Sequence, residues 1–223
     1  MKFSIIIPTF NLFPLLQRCL DSVIANSDLS DKEIIVVSNG CFDGTMEYLQ
    51  SKPVKIVRFE EAIGYPKAVN AGLKVASGEF IILLNNDIQI TNSNWIYWLL
   101  KPFFDHPDCG ITGPGKWMET IAGKEWSICA FWCAMFKKEL LDQIGLLDEI
   151  FSPGCGEDLD FCIRAALVGK RSIGTPDDFQ TGDWTNFPIN HVGGATFAQK
   201  HEETQANRRR SFEILNERYK YLS

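Results

Sequence analysis

The sequence contains no C-x-x-C pair, no G-x-G-x-x-G after its first apolar run, and no G-x-x-x-x-G-K-[ST]. Its seven cysteines are odd in number and scattered, so neither a disulfide framework nor a structural zinc site is indicated. Without the usual phosphate loops, dehydrogenase and P-loop readings lose their basis. No N-x-S/T acceptor occurs, which agrees with a reduced, cytoplasmic compartment. Uncharged apolar stretches such as 128–136 fall well short of the roughly 18 residues of a spanning helix. The opening MKFSIIIPTFN is too brief for a signal-peptide core and reads as a strand. A basic surplus is also missing. Lys and Arg number 22 against 28 Asp and Glu, a net charge of −6 that repels phosphate backbones and disfavours nucleic-acid partners. An anionic substrate must then be met locally, by a metal, a few cations or helix ends. What remains is a globular chain of 223 residues, 45% hydrophobic and 22% charged, which fits one α/β domain.

Strand and helix patterns alternate from the start. Phe3–Ile7, Glu33–Ser38, Val54–Phe59 and Phe80–Leu84 read as strands. Between them lie helical patterns over 12–24, 44–50 and 65–76, the last stopped by Ser77-Gly78. This predicts a parallel, right-handed, doubly wound half over 1–90. The rest reads as a mixed sheet: one buried strand over 127–136, a helix over 137–144 closed by Gly145, and a helix from Glu157 to Gly169. A long loop covers 175–190, and a charged helix follows from about Glu202 to Leu222.

In an open parallel sheet, ligands bind beyond the carboxyl ends of the strands. Polar clusters stand at three such ends: Pro8, Thr9 and Asn11; Ser38, Asn39 and Asp43; Asn85, Asn86 and Asp87. Each could be ordinary turn and cap chemistry. Three on one rim favour a nucleotide pocket. Asp87, fixed at the end of the most apolar strand, suits a hard divalent ion whose other ligands are phosphate oxygens and water.

Four ordered blocks, SIIIPTFN, EIIVVSNGCFDGT, GYPKAVNAGLKVASGEFIILLNNDI and GCGEDLDFCIRAALVGKR, resemble the family 2 glycosyltransferases. The likeness covers roughly residues 3–196, and the LLNNDI and HVGGATF forms look most like rhamnosyltransferases within that family. The resemblance implies a GT-A fold, a Rossmann-like, mostly parallel sheet with helices on both faces. It divides the chain into a nucleotide-binding half over 1–90, an acceptor and catalytic half over 91–198 and a C-terminal helix over 199–223.

It further implies inverting transfer of a sugar from a UDP- or dTDP-linked donor to a glycan hydroxyl with Mn2+ or Mg2+. Pro8, Thr9 and Asn11 match the block bordering base and ribose, and Ser38 replaces the aspartate usual in the second block, beside Asn39. Asp43 matches the acid of the D-G-T turn, and Lys67 and Asn70 match the donor pocket. Asn85-Asn86-Asp87 takes the place of D-x-D with its last acid retained, and His191 matches a position that reaches metal or diphosphate. In the Glu157-Asp158 pair, Asp158 matches the base that accepts the acceptor's proton, kept ionised by the helix N-terminus; Asp160 is its rival.

Trp184 is an acceptor-binding candidate, whereas Trp132 reads as core. The stripe of Phe212, Leu215 and Tyr219 suits a peripheral membrane contact or a homodimer seam. A sugar nucleotidyltransferase and a non-catalytic glycan- or nucleotide-binding module are the rival readings.

Overall fold

The computed structural model describes residues 1–175, 187–191 and 201–222. β1 (Phe3–Thr9) is buried at every position, as expected of a β-branched run covered on both faces. Parallel neighbours flank it, β2 (Lys32–Asn39) on one side and β4 (Phe80–Leu84) on the other, and β3 (Lys55–Phe59) continues the sheet beyond β2. The crossovers carry α1 (Phe13–Ala25), α2 (Thr45–Leu49) and α3 (Tyr65–Val75).

After β5 (Ile88–Ile90), α4 (Trp95–Leu100) and α5 (Pro102–Asp105) come β6 (Cys109–Pro114) and a hairpin of β7 (Trp117–Ile121) and β8 (Lys124–Ile128). β9 (Cys133–Lys137) then runs antiparallel between β4 and β6. α6 (Leu140–Ile144), a 3-10 turn (Glu149–Phe151) and α7 (Glu157–Leu167) lead to β10 (Arg171–Thr175), parallel to β6. Last are β11 (Ile189–His191), paired with β5, and α8 (His201–Tyr219). The seven-stranded sheet has the order β10-β6-β9-β4-β1-β2-β3, so the strand order reverses between β1 and β4. That reversal is where an α/β sheet opens a crevice for a ligand.

The pleat divides the core in two. Ile5, Ile7, Ile34, Val36, Ile82 and Leu84 face α1 and α4, while Ile6, Ile35, Val37, Ile81 and Leu83 face α3, α7 and α8. The parallel first half and the mixed second half are as the periodicity predicts. Several details differ: β6, β7 and β10 are strands the sequence reading did not assign, and most of the loop expected over 175–190 lies outside the described residues. The single strand over 127–136 is two strands, because residues 129–132 leave the hairpin and turn their backbone toward β4 and α3 before β9 begins. Lys137 belongs to β9, and the helix after it starts at Leu140. β5 and β11 lack a signal because each is only three residues long.

The stripe on α8 is not an outward seam. Leu215 and Tyr219 are buried in the chain's own core and Phe212 packs against it, which removes that stripe as a membrane or dimer contact. Ser211 Oγ donates to the Cys155 carbonyl at 2.5 Å, and Gly156 makes the approach possible: its φ is +98°, and a Cβ there would stand 2.7 Å from Ser211 Cβ. Further along, Asp160 is fully buried. Its carboxylate accepts from Arg164 at 2.7 Å, from Arg218 at 2.6 Å and from the Tyr219 hydroxyl at 2.7 Å. Those bonds make Asp160 the bolt between α7 and α8 and remove it as a rival base. Asp160→Ala should destabilise the fold by about 3 kcal/mol, because two guanidinium groups and a buried hydroxyl lose their acceptor; the urea midpoint measures this, and an unchanged midpoint would contradict it.

Candidate active site

The ends of β1 and β2 interlock. Asn11 and Leu12 adopt left-handed conformations, φ 51° and 59°, and the turn they form is held from the neighbouring loop. Asp43 accepts the Phe13 N–H at 2.8 Å and the Thr45 hydroxyl at 2.7 Å, while the Asn11 side chain accepts the Phe42 N–H at 3.0 Å. Asn86 Nδ2 donates to Thr9 Oγ1 at 2.9 Å, which joins the end of β4 to that of β1 across the switch point. Asn39 accepts the Ile63 N–H at 2.7 Å. Ser38 is fully buried, and its Oγ has no hydrogen bond among the described residues. Pro8 lies within β1, and Lys67 is exposed on the first turn of α3. Asn70 is placed differently from a pocket-lining role. Its amide is fully engaged, donating to Leu147 O and Glu149 and accepting from Leu147 N, which makes it a clasp under the 3-10 turn. Trp184 lies outside the described residues.

Asp87 closes β4 and is 6% exposed. Among the described residues its Oδ1 accepts no hydrogen bond, and His191 Nε2 stands 3.4 Å away. The Trp132 ring stacks on His191 with centroids 4.6 Å apart, fixing the imidazole plane. A cavity of about 90 Å3 beside them is lined also by Arg18 and Asn190. An unsatisfied buried carboxylate oxygen next to an oriented imidazole fits a divalent cation. These two side chains could supply part of a shell that water and phosphate oxygens would finish; no cluster of three or more ligating side chains exists among the described residues.

Glu157 and Asp158 open α7. Glu157 is buried, and its Oε2 has no hydrogen bond among the described residues. Burial, reinforced by the neighbouring Asp158 charge, pushes the Glu157 carboxyl above the usual range. Burial raises Asp158 as well, against the helix-terminus expectation. Opposing that rise are the N–H groups of Leu159, of Asp158 itself and of Phe131, then the charge of Arg208. The Leu159 N–H lies 2.9 Å from Asp158 Oδ1.

The two acidic centres share one neighbourhood. Phe131 supplies its N–H to Asp158 and accepts the Tyr65 hydroxyl at 3.0 Å, and the next residue, Trp132, accepts the Asn85 N–H at 2.8 Å. Adjacent residues on a chain with about 3.8 Å between Cα atoms thus touch the end of β4 and the start of α7. The Tyr65 phenol is raised well above its ordinary value, first by burial and then by the charges of Glu157, Asp158 and Asp87 together. One hydroxyl therefore senses all three acids.

Residues 4–155 match the family model for Glycosyl transferase family 2. The chain belongs to that family. It is 24% identical over 215 residues to an O-antigen biosynthesis protein of Myxococcus xanthus, covering 78% of this chain and 16% of the relative. A mannosyltransferase of Pyrobaculum calidifontis, solved with GDP-Man and Mn2+, superposes with a TM-score of 0.64 at 22% identity over 80% of this chain and 55% of its own. The TarS protein of S. aureus bound to UDP-GlcNAc gives 0.60 at 23% identity over 77% and 55%. The fold is GT-A. The chain spans under two fifths of the length of each of these curated relatives. No helix among the described residues is long and apolar enough to cross a membrane.

Sequence reasoning missed Tyr65, Phe131 and Arg208; Trp132, read as core, does pack against the core and also stacks on His191. Their parts are set by backbone carbonyls and by helix docking, which leave no residue-type signal. One consequence is testable through stability. A carboxyl whose folded-state affinity for its proton is raised contributes fully below the unfolded carboxylate range, and that contribution is lost as pH climbs through the folded value. Glu157→Gln cannot ionise. It should match the native chain near pH 4, at about the ordinary carboxylate value, and exceed it in denaturant midpoint at neutral and alkaline pH. A deficit at every pH would contradict this.

Proposed function

We propose that the chain moves a sugar from a nucleoside-diphosphate donor, a UDP- or dTDP-linked hexose or deoxyhexose, to a hydroxyl of a surface glycan, with inversion. The observation that carries this reading is the gathering of Asp87–His191 and Glu157–Asp158 around Tyr65 and the Phe131-Trp132 step. The O-antigen relative supports a glycan product, and the nucleotide-sugar complexes of the structural neighbours support the donor class.

The acceptor oxygen attacks the anomeric carbon as the bond from that carbon to the donor phosphate breaks. Asp158 takes the hydroxyl proton, and the diphosphate leaves with the electron pair of the broken bond. A general base in this position contributes about 10²–10⁴ in rate. Asp158 suits the role because its carboxylate is half-buried, keeping one side open, while backbone N–H groups fix its orientation. Glu157 lies deeper and sets the field around it. Asp87 and His191 would hold Mn2+ or Mg2+, which when bound neutralises charge on the departing diphosphate. Thr9, Asn11, Ser38, Asn39 and Asp43 build the rim for base and ribose, with Lys67 and the Asn85-Asn86 step beside the donor. Trp184 is the proposed acceptor contact.

Asp158→Asn should fold and bind a nucleotide sugar yet lose transfer about 10²–10⁴-fold; turnover near the native rate would remove Asp158 as base. Proton NMR of the product should show an inverted anomeric configuration, and retention would defeat the mechanism. Asp87→Ala should abolish the difference in donor affinity that calorimetry reads with and without Mn2+, whereas a persistent difference would place the ion elsewhere.

A further inference from the structure

We propose that Arg208 of the C-terminal helix is a positioning residue for the acidic pair, holding Asp158 as the carboxylate that takes the acceptor's proton. The inference rests on the reading of Asp158 as base. Its geometric ground is the docking of α8 on the mouth of α7. Ser211 is fastened to the Cys155 carbonyl, and Gly156 leaves no room between the two elements. Arg208 precedes Ser211 by three residues, so it lies on the same helix face, one turn nearer the start of α8. Its guanidinium rides over the Phe212 ring, 5.7 Å from the centroid, which restrains a long side chain at an exposed position.

Among the described residues, three neighbouring arginines are engaged elsewhere. Arg210 donates to the Ser152 and Ile150 carbonyls, Arg164 to Asp160 and to the Ile144 and Leu146 carbonyls, and Arg218 to Asp148 and Asp160. Around the pair stand Tyr65 from α3, the Phe131 N–H from the crossing segment, Cys155 before α7 and Cys162 within it; Arg208 is the cation that acts on both Asp158 and Cys155. Two adjacent acids in a dry setting repel each other. A fixed positive charge on the open side favours ionisation of the member nearer to it, which leaves the deeper Glu157 to carry the proton.

The test is a carbon-13 NMR titration of the side-chain carboxyls in the metal-free chain, for native protein, Arg208→Gln and Arg208→Lys. Removing the charge should raise the half-ionisation pH of Asp158 by a fraction of a pH unit, and lysine should restore most of it. An unmoved midpoint in Arg208→Gln, in a chain whose circular dichroism and melting match the native protein, overturns the proposal. So does a lysine variant that behaves like glutamine. Because this readout needs no substrate, it fails or holds separately from the transferase reading. Where transfer is measured, the acidic limb of the kcat/KM profile should move to higher pH in Arg208→Gln, and a loss that is the same at every pH would mark a merely structural role.

Discussion

Placing two adjacent carboxylates, one buried and one half-buried, at the start of one helix is the constraint around which this molecule is arranged. Isolated, such a pair would be expensive, since each charge loses water and feels the other. The structure answers with backbone N–H groups from Phe131 and from the first turn of α7, and with α8 laid across the opening. The same helix reaches back to Asp160 through Arg218 and Tyr219. The last helix of the chain therefore both fastens α7 and supplies a charge at its N-terminus.

The opposite wall depends on the sheet. Strand order reverses between β1 and β4, and the Asn86–Thr9 bond closes the seam at that point. Asp87 sits in the short link between β4 and β5, three residues past the five buried apolar residues of β4. The antiparallel strand β9 lies beside β4, so the segment leading into it passes directly over the crevice. Phe131 and Trp132 face opposite partners there, one joined to Tyr65 and Asp158 and the other to Asn85 and His191. A side chain on that segment would be felt at both walls.

Much of this was legible in the residues. Continuous β-branched runs and 3.6-residue stripes placed β1, β2 and β4 and the helices between them, because strands buried on both faces and helices buried on one have strong patterns. Polar clusters follow β1, β2 and β4, and Glu157-Asp158 opens α7, where the sequence places them. Other features had no pattern to read. Asn70 is the same amide whether it lines a pocket or clasps Leu147, and only the hydrogen bonds decide. The Phe212, Leu215 and Tyr219 stripe shows that α8 packs on something, but the sequence does not say whether that surface is its own core or another body. Asp160 and Asp158 differ by two positions on one helix, about 200° of rotation, and that rotation separates a buried bolt from a half-buried carboxylate.

The central claim is that the acid ending β4 and the acid opening α7 border a single sugar-sized space. A crystal structure of Asp158→Asn with a nucleoside-diphosphate sugar and Mn2+ measures it most directly. The ion should sit on the Asp87 carboxylate beside the diphosphate, with the anomeric carbon presenting the face opposite its phosphate toward residue 158. An ion seated away from Asp87, or residue 158 turned from the sugar with protein atoms between them, would contradict it.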